Sequence, residues 1–176
     1  MAGAAHQTLP PPSFEGPAPR ILIVVAPYYC EVADDLVAGA RAAIEAAGGA
    51  HETVEVPGAL EIPPAVAIAH RFGDYDGYVA LGCVVRGETT HYDTVCNDSS
   101  RGLTMLGLSG ACIGNGILTV ENMDQARVRA GEGDKGGGAA LAALHLVALT
   151  RRMKRPPRDV GFRSGDLHLA KGGETV

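Results

Sequence analysis

Gly77-Tyr78-Val79-Ala80-Leu81-Gly82-Cys83-Val84-Val85, followed without a break by Arg86-Gly87-Glu88-Thr89-Thr90-His91, is the stretch on which the fold of this chain turns. Its first nine residues are apolar throughout instead of alternating, the pattern of a strand covered on both faces in a parallel sheet. The polar continuation leads into a helix expected from about Tyr92 to Leu108. Upstream, Ile21-Leu22-Ile23-Val24-Val25-Ala26 is a second continuous apolar run, broken by Pro27. Between the two runs, Val32, Leu36, Val37, Ala40 and Ile44 share one helical stripe within Glu31 to Gly48, and Gly48-Gly49 offers a left-handed stop. His51 to Val56 predicts another short strand, and a helix is expected to start near Glu61-Ile62-Pro63, where proline in the first turn loses no hydrogen bond. Downstream, a fourth strand is expected over Ala111 to Leu118, with Thr119-Val120-Glu121-Asn122 opening a short helix. A glycine-dense loop is expected over Gly131 to Gly138, then a last helix with Leu141, Leu144, Ala148 and Leu149 on its buried face.

Strands alternating with helices, joined by right-handed crossovers, give an α/β protein: a flavodoxin-like three-layer α/β/α sandwich on a four-stranded parallel sheet of order 2-1-3-4. The 176 residues suit one domain with a buried core. We expect a proline-rich arm over 1–19, the domain over 20–153 and a polar tail over 154–176. Hydrophobic residues at 46% and charged residues at 20% exclude a disordered chain, and no apolar run reaches the roughly 18 residues that span a bilayer. A net charge of −5 gives nucleic acid or an anionic membrane no reason to bind, so a small molecule is the expected partner. Cys30, Cys83, Cys96 and Cys112 form no CxxC pair, and the N-terminus has no apolar signal core, which together suggest reduced thiols and a cytoplasmic protein.

For that strand order, the ligand crevice lies at the carboxyl ends of the first and third strands. Those two ends carry unusual residues. Pro27-Tyr28-Tyr29 follows the first, in a chain with only five Tyr, three Phe and no Trp. Gly87-Glu88-Thr89-Thr90 follows the third and offers backbone N–H groups, hydroxyls and the positive end of a helix dipole to a phosphate. Thr90-x-x-Asp93 also fits a capping box, which would only close the helix. His91, in the first turn, can serve as a base or hydrogen-bond partner at neutral pH. His51, His70, His145 and His168 have no partner at motif distance and read as structural. Gly131-Glu132-Gly133-Asp134-Lys135-Gly136 matches GxGxxG literally, but it follows a helix late in the chain and its lysine precedes glycine, so it is neither a dinucleotide fingerprint nor a Walker loop. No metal-ligand spacing occurs, so no metal is expected. A phospho-receiver would end its third strand in aspartate, whereas this strand ends Cys83-Val84-Val85-Arg86.

Val56-Pro57-Gly58-Ala59-Leu60-Glu61-Ile62-Pro63, the block Leu81 to Asp93 containing Arg86-Gly87-Glu88-Thr89-Thr90-His91-Tyr92-Asp93, and Arg129-Ala130-Gly131 together resemble the lumazine synthase family. The resemblance covers about Arg20 to Met153. It implies condensation of 5-amino-6-ribitylaminopyrimidinedione with 3,4-dihydroxy-2-butanone 4-phosphate, without a cofactor, as the penultimate step to riboflavin. By the family pattern His91 is the general acid/base. Tyr28 stacks on the heterocycle, Ala59, Leu60 and Glu61 hold the ribityl chain, and Cys83, Val84 and Val85 bind the pyrimidinedione through the backbone. Glu88 and Thr89 meet the phosphate and Arg129 clamps it. Asn115 matches a position from which a neighbouring subunit completes the pocket, with Lys135 nearby. Such sharing implies a homo-oligomer built from pentamers, with riboflavin synthase as a possible partner. Leu60 stands where many members have Phe, Asn115 where many have an apolar or aromatic side chain, and Glu88 puts a carboxylate beside the phosphate cradle. A non-catalytic flavin or lumazine binder and a shell-forming protein on the same scaffold remain open at this point.

Overall fold

The computed structural model describes residues 9–154; the expected polar tail lies outside them except for Lys154, as does the start of the arm. Four parallel strands, β1 (Arg20–Val25), β2 (Ala50–Glu55), β3 (Gly77–Val85) and β4 (Ile113–Val120), form one sheet in the order β2-β1-β3-β4. Helices α1 (Cys30–Ala46), α4 (Met123–Ala130) and α5 (Lys135–Lys154) cover one face, and α2 (Ile62–Phe72) and α3 (His91–Leu108) the other. A 3-10 turn, Ala59–Glu61, leads into α2. The flavodoxin-like α/β/α sandwich is therefore the observed fold. No helix among the described residues is long and apolar enough to cross a membrane.

The continuous apolar runs are explained by burial on both faces. Along β1, Ile21, Ile23 and Val25 pack toward α1 and α5 while Leu22, Val24 and Ala26 pack toward α2 and α3, so neither parity can be polar. Each aliphatic side chain fully buried contributes roughly 1.5–3 kcal/mol, which makes β1 and β3 the centre of the hydrophobic stabilisation. β4, at the sheet edge, instead alternates, with Asn115 and Thr119 exposed and Gly114, Gly116, Leu118 and Val120 buried.

The structure departs from the sequence reading at several points. β4 runs two residues further than expected, to Val120, because its ladder with β3 continues to Val85↔Val120; the following helix then starts at Met123, capped by Asn122 Oδ1 accepting from the Gln125 N–H at 3.0 Å. The glycine-dense loop is shorter than expected, since Gly136, Gly137 and Gly138 are already helical in α5. Packing against α1 requires the first, because a Cβ on Gly136 would strike the backbone carbonyl of Leu36; the second is required locally, because a Cβ on Gly137 would strike the Asp134 carboxylate. That carboxylate in turn accepts the Gly137 N–H at 2.9 Å, from a residue in the left-handed region (φ 38°) that aspartate tolerates. The buried face of α5 is consequently set by Ala139, Ala140, Ala143, Leu144 and Val147, and Leu149 is 40% exposed, not buried. Within the stretch expected as a free arm, Phe14 packs against the core beneath the Arg151 guanidinium, and the Pro17 carbonyl accepts from Arg151 at 2.7 Å.

The close approach of α5 to α1 yields a test. Gly136→Ala should destabilise the protein by about 1–3 kcal/mol through overpacking against backbone that cannot move aside. Gly107→Ala, in α3 with open space around it, should be neutral or gain up to ~1 kcal/mol from helix propensity. Urea denaturation at fixed protein concentration measures both, and an undisturbed Gly136→Ala would contradict the packing.

Candidate active site

Pairing between β1 and β3 ends where the Ala26 N–H donates to the Leu81 carbonyl at 2.9 Å, after which the chain turns away at Pro27. β3 continues for four more residues, held only on its far side, where Cys83, Val84 and Val85 pair with Leu118, Thr119 and Val120. The β1-facing edge of Cys83 to Val85 is thus a row of backbone donors and acceptors without a strand partner. A cavity of about 410 Å³ opens over that edge, lined by Ala26, Tyr28, Tyr29, Ala59, Leu60, Glu61, Cys83, Val84, Val85, His91 and Val95. Its size falls in the range of small-molecule sites, and it lies at the point where the winding of the sheet reverses.

Each wall has a local cause. Pro27 ends β1 and carries Tyr28 and Tyr29 over the cavity mouth; their rings meet edge-on with centroids 5.0 Å apart, and Tyr28 is 74% exposed, leaving a face free for a planar ligand. Burial first, then the neighbouring Tyr28 and Cys83, pushes the Tyr29 hydroxyl above its ordinary pKa, so it stays a neutral donor. The 3-10 turn supplies Ala59, the 37%-exposed Leu60, and Glu61, whose N–H donates to the Gly58 carbonyl at 3.1 Å. His91 opens α3 and lines the same cavity, with Val95 one turn on along the same helix face. Burial pushes the Cys83 thiol up to about 11, which leaves it protonated and a poor nucleophile at neutral pH.

Of the thirteen site residues expected from sequence, the structure brings eight into this cavity: Tyr28, Ala59, Leu60, Glu61, Cys83, Val84, Val85 and His91. Glu88 and Thr89 lie on the exposed loop between Arg86 and His91, where Thr89 Oγ1 accepts a long 3.4 Å hydrogen bond from the His91 N–H. The expected capping box is not formed, because Thr90 adopts a helical conformation and its hydroxyl caps no first-turn amide. Asn115, Arg129 and Lys135 do not reach the cavity. They line a separate cleft of about 460 Å³ outside β4. Asn115 pairs with Ala80, three to five residues short of Cys83–Val85, which at ~3.3 Å per residue puts it about 10–17 Å back along the sheet. Its side chain folds back to accept the Ile117 N–H at 3.0 Å.

Sequence reasoning placed Tyr29 beside Tyr28 at the crevice without giving it a role of its own, and passed over Ala26 and Val95 as lining residues. The signals were available: Ala26 ends the apolar run, and Val95 is four residues after His91. It also passed over Arg86, whose Nε donates to both Glu121 carboxylate oxygens at 2.8 and 3.1 Å, and Nη1 to Asp93 Oδ1 at 3.3 Å. That network joins residues 35 apart in sequence, a distance at which side-chain pairing leaves no periodic trace.

Residues 18–151 match the profile of the family described as 6,7-dimethyl-8-ribityllumazine synthase. A protein of Jannaschia sp. (strain CCS1) named 6,7-dimethyl-8-ribityllumazine synthase is 54% identical over 175 residues, 98% of each chain. Proteins of the same name from Novosphingobium aromaticivorans and Azorhizobium caulinodans are 56% and 57% identical; each alignment covers 76% of this chain, and 97% and 87% of the relative.

The state of Cys83 is open to measurement. With iodoacetamide near neutral pH, the exposed Cys30 should be alkylated while Cys83 remains a free thiol, reacting only as the pH approaches about 11. Peptide mass spectrometry reads both sites, and rapid neutral-pH alkylation of Cys83 would contradict the stated environment.

Proposed function

Because the chain belongs to the 6,7-dimethyl-8-ribityllumazine synthase family, we propose that it makes 6,7-dimethyl-8-ribityllumazine by condensing 5-amino-6-(D-ribitylamino)uracil with 3,4-dihydroxy-2-butanone 4-phosphate, with release of phosphate and two waters. The observation that carries this reading is the unpartnered edge of Cys83–Val85 in a cavity that an exposed tyrosine ring, Glu61 and His91 also line. A pyrimidinedione presents alternating N–H and C=O groups along one side, which suits a bare strand edge. Tyr28 stacks on its ring. Ala59 and Leu60 flank the ribityl chain, and the Glu61 carboxylate accepts from its hydroxyls.

The chemistry then needs proton transfers and little else. The 5-amino group adds to the ketone and expels water to give a Schiff base, and loss of a proton from the adjacent carbon expels phosphate. The ribityl-bearing nitrogen closes the second ring with loss of the second water. His91, at the cavity rim, carries protons between these steps, a contribution of about 10²–10⁴-fold for a positioned general acid/base. The backbone amides of the loop before α3, that of Glu88 among them, and the Thr89 hydroxyl hold the phosphate, at the positive end of the α3 dipole. The Glu88 carboxylate stays outside the site, directed to solvent.

Arg129, Lys135 and Asn115 form the other half of the reading. None of them lines the cavity within one chain, and they share a cleft on the edge-strand side. We propose that this cleft meets the cavity of a neighbouring copy, bringing Arg129 to the phosphate as a charge-assisted clamp. Repeated around a ring, this head-to-tail contact closes an oligomer, which we take to be a pentamer or an assembly of pentamers. Riboflavin synthase, which consumes the product, is the proposed protein partner. The cytoplasm is the proposed location, in keeping with four free cysteines, and with a net charge of −5 neither nucleic acid nor membrane is a proposed partner.

Two outcomes follow. His91→Ala should lower kcat by about 10²-fold or more while the assembly, measured by light scattering, is unchanged. Chains carrying His91→Ala and chains carrying Arg129→Ala should each be nearly inactive alone, yet co-expression should restore part of the turnover. No restoration in mixed assemblies would place both residues in the site of a single chain.

A further inference from the structure

His91 stands at the end of a short exposed loop, and among the described residues two backbone elements flank that loop. One is the sheet: the Arg86 N–H donates to the Val120 carbonyl at 2.9 Å, so Arg86 is the last residue anchored by backbone pairing. The other is the body of α3, buried through Val95, Ser99 and Leu103 one to three turns beyond His91. Between them, Gly87 to Thr90 are exposed. A single side chain bridges the gap. The Arg86 guanidinium carbon lies 4.1 Å from the Tyr92 ring centroid, Nη1 reaches Asp93, and Nε is held by both oxygens of Glu121, which follows β4. Tyr92 and Asp93 are the two residues directly after His91, so the guanidinium ties the histidine's own helical turn to the ends of two strands.

The arrangement has a purpose other than stability. Exposed ion pairs contribute about 0–1 kcal/mol each, too little to matter to a domain whose core is apolar. Position is another matter, since displacing a reacting group by about 1 Å costs on the order of 10²-fold in rate. A planar fork that stacks on one face and donates along its edges can fix a turn in rotation as well as distance, which a lysine ammonium cannot do.

We propose that Arg86 is a positioning residue for His91, with Glu121 orienting Arg86. The inference rests on the reading of His91 as the proton carrier. Arg86→Met alone would leave two carboxylates unbalanced near an anionic substrate, so the decisive variant is the charge-conserving pair Arg86→Met with Glu121→Gln. The test compares kcat and the KM for both substrates in the unaltered chain, in this double variant, in Arg86→Lys, in His91→Ala, and in the double variant combined with His91→Ala. The double variant should lose about 10–100-fold in kcat with little change in either KM and with the assembly intact. Arg86→Lys should not restore the rate. In chains already lacking the His91 imidazole, the Arg86 and Glu121 changes should cost nothing further, as expected for residues that act through one another.

An equal loss with and without His91 would overturn the proposal, as would an unchanged kcat. A raised KM for the butanone phosphate at constant kcat would also overturn it, by making Arg86 a phosphate ligand. Should the double variant fail to assemble, Glu121→Gln alone carries the same comparison, with a smaller loss that again vanishes in the His91→Ala background. Absence of turnover by the unaltered chain would remove the reading on which the inference rests, an outcome distinct from all of these.

Discussion

Everything in the cleft depends on β3 outrunning β1. In a parallel sheet each interior strand is normally satisfied on both edges, and a buried backbone group left unpaired costs about as much as a lost hydrogen bond. Here β1 stops at Val25 and the chain swings away at Pro27, while β4 keeps pace with β3 to its end. The result is a strand end that is rigid, because β4 holds it, and unsatisfied, because β1 does not. Such an edge need not fold to meet its ligand. Little conformational entropy is then lost on binding, and a heterocycle with complementary donors and acceptors can take the place that a fifth stretch of strand would occupy.

The cleft is assembled from two parts of the chain. Tyr28, Ala59, Leu60 and Glu61 come from turns that follow β1 and β2, and in the proposed function they recognise shape and hydroxyl groups. His91 and the loop before it come from the β3 to α3 junction, and the same proposal gives them the reacting end. The cations that would complete an anion site lie elsewhere on the same chain, in the cleft outside β4. That separation is what the proposed sharing of one site between neighbouring copies would reconcile. The net charge of −5 makes the local supply of Arg129 and Lys135 matter more, since the rest of the surface does not attract a phosphate.

The strand order and the cleft's location were legible in the sequence because both follow from burial. A strand covered on both faces must be apolar at every position, as β1 and β3 are, and two such central runs with two flanking strands, all separated by helices, leave few ways to wind a sheet. Residues near the carboxyl ends of β1 and β3 were found for the same reason. What was not legible was set by geometry that leaves no period. Gly136 and Gly137 read as a loop but are helical: Gly136 lets α5 approach the α1 backbone, and Gly137 leaves room for the Asp134 carboxylate at the start of α5. Thr90 and Asp93 had the spacing of a capping box, yet Asp93 pairs with Arg86 and Thr90 is already helical. Nor could spacing alone show that Asn115, Arg129 and Lys135 gather in a cleft of their own.

The measurement that tests the central claim most directly is steady-state turnover by the purified chain, given the ribitylaminopyrimidine and the butanone phosphate and followed by lumazine absorbance and phosphate release together. The account requires both products to appear at equal rates, without added metal or cofactor. Tight binding of the pyrimidine with no phosphate released would contradict it and leave the cleft a binding site on a catalytic scaffold.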